Sequence, residues 1–153
     1  MYKEITVDIM MLRETPIGPR MFSPEQIAEH VKDLSRCAQE QFVVLTFNTR
    51  NQLIDRHMVA LGSLNSTIVH PREVFRVAIL DSAASIVIIH NHPSGDPSPS
   101  ANDIRITKKL IEASKIMEIQ VLDHVIIGRK NESGQNGFLS LRESGLCEFD
   151  KRD

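Results

Sequence analysis

The segment SIVIIHNHPSGDPSPSANDIRITKKL, Ser85 to Leu110, decides how this chain is read. SIVIIH (Ser85 to His90) is short, continuously apolar and rich in β-branched residues, the pattern of a strand covered on both faces. Three prolines in NHPSGDPSPS then stiffen a loop that Gly95 lets bend. Ser100 opens a helix with Ile104, Leu110, Ile111 and Ile116 at its apolar positions. Residues two apart in a strand share a face, so His90 and His92 present both imidazoles to one point, and Asn91 points to the opposite face. Asp103, in the first turn of the helix, is the natural third ligand for a metal that usually takes three protein donors and leaves one position for water. Ser100-x-x-Asp103 also matches a capping box, and the two roles are compatible.

Outward from this segment, strands and helices interleave. Ile5, Val7 and Ile9 alternate with polar residues as in a half-buried strand, and TPIGPR breaks the chain. Ser23, Pro24 and Gln26 form a start signal for a helix running to about Ala38, with Ile27, Val31 and Leu34 at helical spacing. FVVLTF reads as a buried strand, NTRNQ as its turn and LIDRHMVA as the returning strand. A second helix opens at His70 and Pro71. After the third helix, IQVLDHVIIG is a strand, GRKNESGQNG a polar turn and FLSLRE a short final element. The expected fold is α/β (α+β), a mixed, mostly antiparallel sheet flanked by helices.

The 153 residues fit one domain, 1–153, in which residues 1–37 supply the first strand and helix. At this size a core forms without disulfides or structural metal, so a metal here points to function. The 18 Lys and Arg against 20 Asp and Glu leave a net charge of -2, which disfavours a nucleic-acid partner. Lys108, Lys109 and Lys115 on one helix read as a solvated face. Cys37 and Cys147 read as free thiols. Glu4 and Asp8 interrupt the apolar core a signal peptide would need, and no apolar run reaches the roughly 18 residues of a membrane span; a cytoplasmic location is expected. The Ile5 to Ile9 strand, if an uncovered edge, could pair two copies as a homodimer.

HNHPSGDPSPSAND matches the H-x-H, seven residues, S-x-x-D pattern of the JAMM metalloproteases, also called JAB or MPN+ domains. More narrowly, VHPREVFRVAI, IIHNHPSGDPSPS and VLDHVIIG resemble the RadC family of bacterial JAB-domain proteins, a likeness running from Ala38 to Leu146. The resemblance implies a JAB/MPN architecture like that of cytidine deaminases, with Zn2+ held by His90, His92 and Asp103. It also implies a water activated at that ion and a glutamate acting on it. Glu40, before FVVLTF, occupies the place where the family pattern puts the acid; Glu73, in the helix from Pro71, is the alternative. The Ser100 hydroxyl is the candidate donor to a tetrahedral oxyanion. The expected activity is peptide or isopeptide hydrolysis of a peptide or protein substrate. The competing expectations are an accessory role in DNA repair, suggested by the RadC association, and a non-catalytic MPN-type interaction module. No helix-hairpin-helix signature of longer RadC proteins is present, which suggests a stand-alone form. Asp123 and His124 belong to the resemblance, and His124 reads equally as a ligand-orienting or a core histidine. His70 reads as a turn or cap residue, and His30 and His57 as solvated surface positions.

Overall fold

β-Branched and aromatic residues dominate QFVVLTF, and in the computed structural model they form β1 (Gln41–Phe47), which pairs antiparallel with β2 (Leu53–Leu61) and with β3 (Ser85–Asn91). Residues 18–62, 69–133 and 136–151 are described. The strand expected over Ile5 to Ile9, and any pairing it makes, lies outside them. β4 (Gln120–Ile127) runs parallel to β3, and β5 (Phe138–Ser140) closes the sheet in the order β2-β1-β3-β4-β5. This is a mixed five-stranded sheet with helices on both faces, of the α+β class and consistent with a JAB/MPN fold. The described residues contain no helix long and apolar enough to cross a membrane.

The parallel pair requires a crossover, and α3 (Ala101–Met117) supplies it. Ser100 caps this helix: its hydroxyl accepts from Asp103 N at 3.1 Å, and Asp103 Oδ2 accepts from Ser100 N at 2.8 Å. The helix ends at Glu118, in the left-handed region with φ 53°. α2 (Pro71–Leu80) starts after His70 with proline at its first position, where the missing N–H costs no hydrogen bond. α2 and α3 cover one face of the sheet, where Ile86, Ile88, Phe42 and Val44 meet Val74, Phe75 and Leu110. Val43, Leu45, Val87 and Ile89 meet Ile27, Val31 and Leu34 on the other. All seven residues of β3 are buried, as its unbroken apolar run requires.

The helix expected from Ser23 to Ala38 is instead two pieces, α1 (Pro24–His30) and a 3-10 turn (Lys32–Arg36), divided at Val31. One local bond and one tertiary ion pair compete with a continuous helix there. The Ser35 hydroxyl donates back to Lys32 O at 2.7 Å, and Asp33 is gripped through both oxygens by Arg56 on β2 at 2.9 and 2.8 Å. The tighter turn keeps both Val31 and Leu34 inside, each at most 1% exposed. A short α4 (Leu141–Ser144) follows β5 directly.

Candidate metal centre

The C-terminal end of β3 and the N-terminal turn of α3 meet at one point. His90 is 2% exposed and Asp103 is 0% exposed. His90 Nδ1 lies 3.1 Å from Asp103 Oδ1, and His92 Nε2 lies 3.1 Å from Asp103 Oδ2. The two imidazoles stand edge to face, with centroids 4.8 Å apart. One ligand atom from each of the three residues falls within 4.8 Å of the others, so the group can hold a metal ion. The expected convergence of strand tip and helix start is present.

Unsatisfied atoms test whether a cation fits. The approach of His90 to Asp103 is close but not aligned as a hydrogen bond, and both ring nitrogens of His90 and Asp103 Oδ1 are buried without a hydrogen-bond partner. Buried polar atoms are rarely left so, and a cluster that includes a carboxylate oxygen and an imidazole lone pair suits a cation. His92 is oriented for the same purpose. Its Nδ1 faces the Asp96 carbonyl at 2.8 Å; a carbonyl only accepts, so Nδ1 carries the proton and the neutral ring keeps its Nε2 lone pair for the ion. Burial disfavours charge on His92, but the Asp103 carboxylate and the Asp96 carbonyl outweigh it and raise its pKa. Burial would also raise Asp103. The adjacent His90 and His92 and the Ser100 N–H prevail, holding its carboxyl well below the usual carboxylate range.

The loop that carries His92 is clamped from behind. His92 N donates to Ile127 O at 2.8 Å, Arg129 N donates to Gly95 O at 2.8 Å, and Arg129 Nη2 donates to Ser94 O at 3.1 Å. Gly95 has φ 92°, and Gly128 packs so closely that a Cβ there would stand 2.2 Å from Gly95 O. Neither glycine was expected in this role, because the clamp is made mostly of main-chain atoms.

Glu40 immediately precedes β1, and its Oε2 lies 3.8 Å from His90 Nε2 at the edge of a cleft of about 570 Å³. Ser100 also lines this cleft; its oxygen caps Asp103 N, and its hydroxyl proton meets no acceptor among the described residues. Glu73 is elsewhere. It is exposed on α2 and lines a groove with Ile116 and Met117 at the far end of α3.

His124 is a core residue, 0% exposed. Its Nδ1 lies 2.6 Å from Thr107 Oγ1, which in turn donates to Asp103 O at 2.6 Å, so His124 donates to the threonine and braces the main chain of Asp103. Burial, reinforced by the neighbouring His90, pushes its pKa down to about 3, so it stays neutral. Asp123 faces away from the centre. It accepts from the Ser140 hydroxyl at 2.5 Å and from Arg142 N at 3.1 Å, joining α4 to β4. His70 is the N-cap residue of α2, as expected, and His30 is exposed. His57 corrects the expectation of a solvated position. It is half-buried, with Nε2 2.6 Å from Asp81 Oδ2, because the end of α2 comes to rest on β2. Asp55, His57 and Asp81 form a second group of possible ligands, in which Asp81 is already engaged by His57 and by Thr46 Oγ1 at 2.6 Å.

Comparison with known proteins follows the same segments. A family model described as RadC-like JAB domain matches residues 21–146, beginning at Met21 rather than Ala38 and so taking in α1. A UPF0758 protein of Desulforamulus reducens is 52% identical over 120 residues, covering 78% of this chain and 49% of the relative. UPF0758 proteins of Bacillus cereus and Bacillus anthracis are 52% identical over 124 residues, covering 80% of this chain and 52% of each relative. The chain spans about half the length of these curated relatives.

Proposed function

Because the chain belongs to the RadC-like JAB domain family, we propose that it is a zinc-dependent hydrolase of peptide or isopeptide bonds. The observation that carries this reading is the convergence of His90, His92 and Asp103 with orphaned donor atoms, beside a carboxylate from Glu40. An ion bound there would polarise a substrate carbonyl and make a coordinated water acidic enough to act near neutral pH. In this reading Glu40, whose Oε2 lies 3.8 Å from His90 Nε2, takes a proton from attacking water and later gives it to the leaving amine. The Ser100 hydroxyl, with its proton uncommitted, donates to the carbonyl oxygen as negative charge develops on it. A peptide or protein is the substrate class this reading implies.

Metal analysis of the purified protein beside His92→Ala and Glu40→Gln tests the assignment. One zinc per chain is expected in the native protein and in Glu40→Gln, and loss in His92→Ala. A native protein that binds no zinc, or a His92→Ala variant that binds it as tightly, defeats the ligand set. Amide hydrolysis that survives unchanged in Glu40→Gln defeats the assignment of the base.

A further inference from the structure

Asn91 stands between the two histidines and its side chain serves neither. The alternation of β3 puts Ile86, Ile88 and His90 on the face toward α2 and α3, and Val87, Ile89 and Asn91 on the other. The residue is 1% exposed, and both ends of its carboxamide are used. Oδ1 accepts from Gln41 N at 2.6 Å, and Nδ2 donates to Gln39 O at 3.1 Å. The two main-chain groups it grips flank a single residue, Glu40.

That grip falls where the sheet stops supplying one. The β1–β3 register runs from Phe47 opposite Ser85 to Phe42 opposite His90, so Glu40 lies beyond the ladder on this side. On the β2 side Gly62 N donates to Glu40 O at 2.8 Å. Asn91 completes the restraint with a neutral planar group that offers a donor and an acceptor on one short side chain. An aspartate would set oxygen against the Gln39 carbonyl, and a serine or threonine hydroxyl is too short to span both.

We infer that Asn91 is a positioning residue for Glu40, so that three consecutive residues where β3 passes into its loop set up both halves of the site: His90 and His92 hold the ion and Asn91 aims the base. This rests on the reading of Glu40 given above. A shift of about 1 Å in a reacting group can cost about 10²-fold in rate, which is the penalty such a brace avoids.

Acetohydroxamate bound to the zinc-loaded protein provides the test, since it chelates through both oxygens and gives its proton to a carboxylate beside the metal. Zinc affinity, amide-proton exchange at Gln41 and acetohydroxamate affinity are measured for the native protein, Glu40→Gln and Asn91→Ala. Asn91→Thr is the second variant, since threonine is at home in a strand and preserves the readout where alanine impairs folding. Expected for Asn91→Ala are zinc affinity within about threefold of native, exchange at Gln41 faster by at least about tenfold, and acetohydroxamate binding weakened by about tenfold, as in Glu40→Gln. If Glu40→Gln weakens the hydroxamate and both Asn91 variants bind it like the native protein, the positioning role is refuted while the base stands. If Glu40→Gln itself leaves binding unchanged, the base assignment falls and the inference with it.

Discussion

Substitution of Gly128 by alanine should loosen the metal centre without touching a ligand. The added Cβ would stand 2.2 Å from the Gly95 carbonyl oxygen and 2.9 Å from its carbon, both main-chain atoms that no rotamer change can move. An ordinary carbon–oxygen contact is about 3.3 Å, so the loop must retreat by about 1 Å. Retreat breaks or stretches the bonds from Arg129 N to Gly95 O at 2.8 Å and from Arg129 Nη2 to Ser94 O at 3.1 Å. Each is worth about 1 kcal/mol net, and the overpacking itself costs about 1–3 kcal/mol, so a loss of up to about 3–5 kcal/mol in unfolding free energy is expected. The same loop carries the Asp96 carbonyl that fixes the His92 tautomer. Disturbing such an outer contact typically lowers metal affinity by about 10–100-fold, and zinc affinity should fall by that factor in competition with a chromophoric chelator. Gly145→Ala is the control. Its φ of 72° makes alanine costly by about 1 kcal/mol, yet nothing lies within 4 Å of the new Cβ, so stability should drop with zinc affinity unchanged. Zinc affinity in Gly128→Ala within twofold of native would show that the clamp does not position His92.

Three further substitutions probe the frame around the site. Asp33 is held below its ordinary pKa by hydrogen bonds from Arg56, so it contributes stability above the unfolded value near 4 and loses it as pH falls through its own lower value; because the Asp33 side chain is mostly exposed, Asp33→Asn should cost only about 0.5 kcal/mol at pH 7 in urea unfolding, shrinking in 1 M salt and vanishing in acid, and a cost that persists at pH 2 would refute the ion pair as its source. Asp123 is raised by burial against the donors Ser140, Arg142 and His124, so its stabilisation is complete below the unfolded pKa and declines as pH rises through the folded one; Asp123→Asn should therefore gain on the native protein in stability as pH climbs from 4, and a pH-independent difference would contradict the sign. Ser100→Ala removes the acceptor for Asp103 N and should cost about 1 kcal/mol in thermal unfolding while one zinc per chain is retained, with Ser100→Thr restoring the cap; loss of zinc in Ser100→Ala would mean that the hydroxyl, not the carboxylate, anchors the helix start at the ion.

What the sequence disclosed about the site was what neighbouring residues encode by themselves. The H-x-H pair needs only the two-residue period of a strand, and Ser100-x-x-Asp103 needs only the geometry of a helix start; both are present, joined by the proline-rich loop. Glu40 and Glu73 were harder to separate, because each sits at the edge of an element whose direction relative to β3 depends on tertiary pairing. The antiparallel register of β1 with β3 brings Glu40 to His90, while the end of α2 bearing Glu73 packs toward Ile116. His57 was misread for a similar reason, since its partner Asp81 lies 24 positions away on the C-cap of a helix. The break at Val31 turns on Arg56 reaching Asp33 from another strand. Asn91 was correctly placed on the opposite face, yet its partners are main-chain atoms of residues 39 and 41, which no pattern of side chains announces.

The double duty of Asp103 explains why a chain able to fold through an ordinary core still commits a buried carboxylate to this point. A lone buried carboxylate is expensive, and its cost must be offset where it stands. Here Oδ2 is occupied by Ser100 N at the positive end of a 17-residue helix, which leaves Oδ1 as the orphaned oxygen. The helix start thus supports the charge before any ion arrives, and the fold does not have to wait for metal to form it. The Thr107 hydroxyl and, through it, His124 hold the same residue from inside the helix. A carboxylate fixed on both sides by the fold would have little freedom to lose on binding a cation, which would favour a persistent centre over one assembled by the ion. The remaining freedom lies in the His92 loop and in Glu40, each restrained by a contact outside the His90, His92 and Asp103 group: Arg129 on the loop and Asn91 beside Glu40.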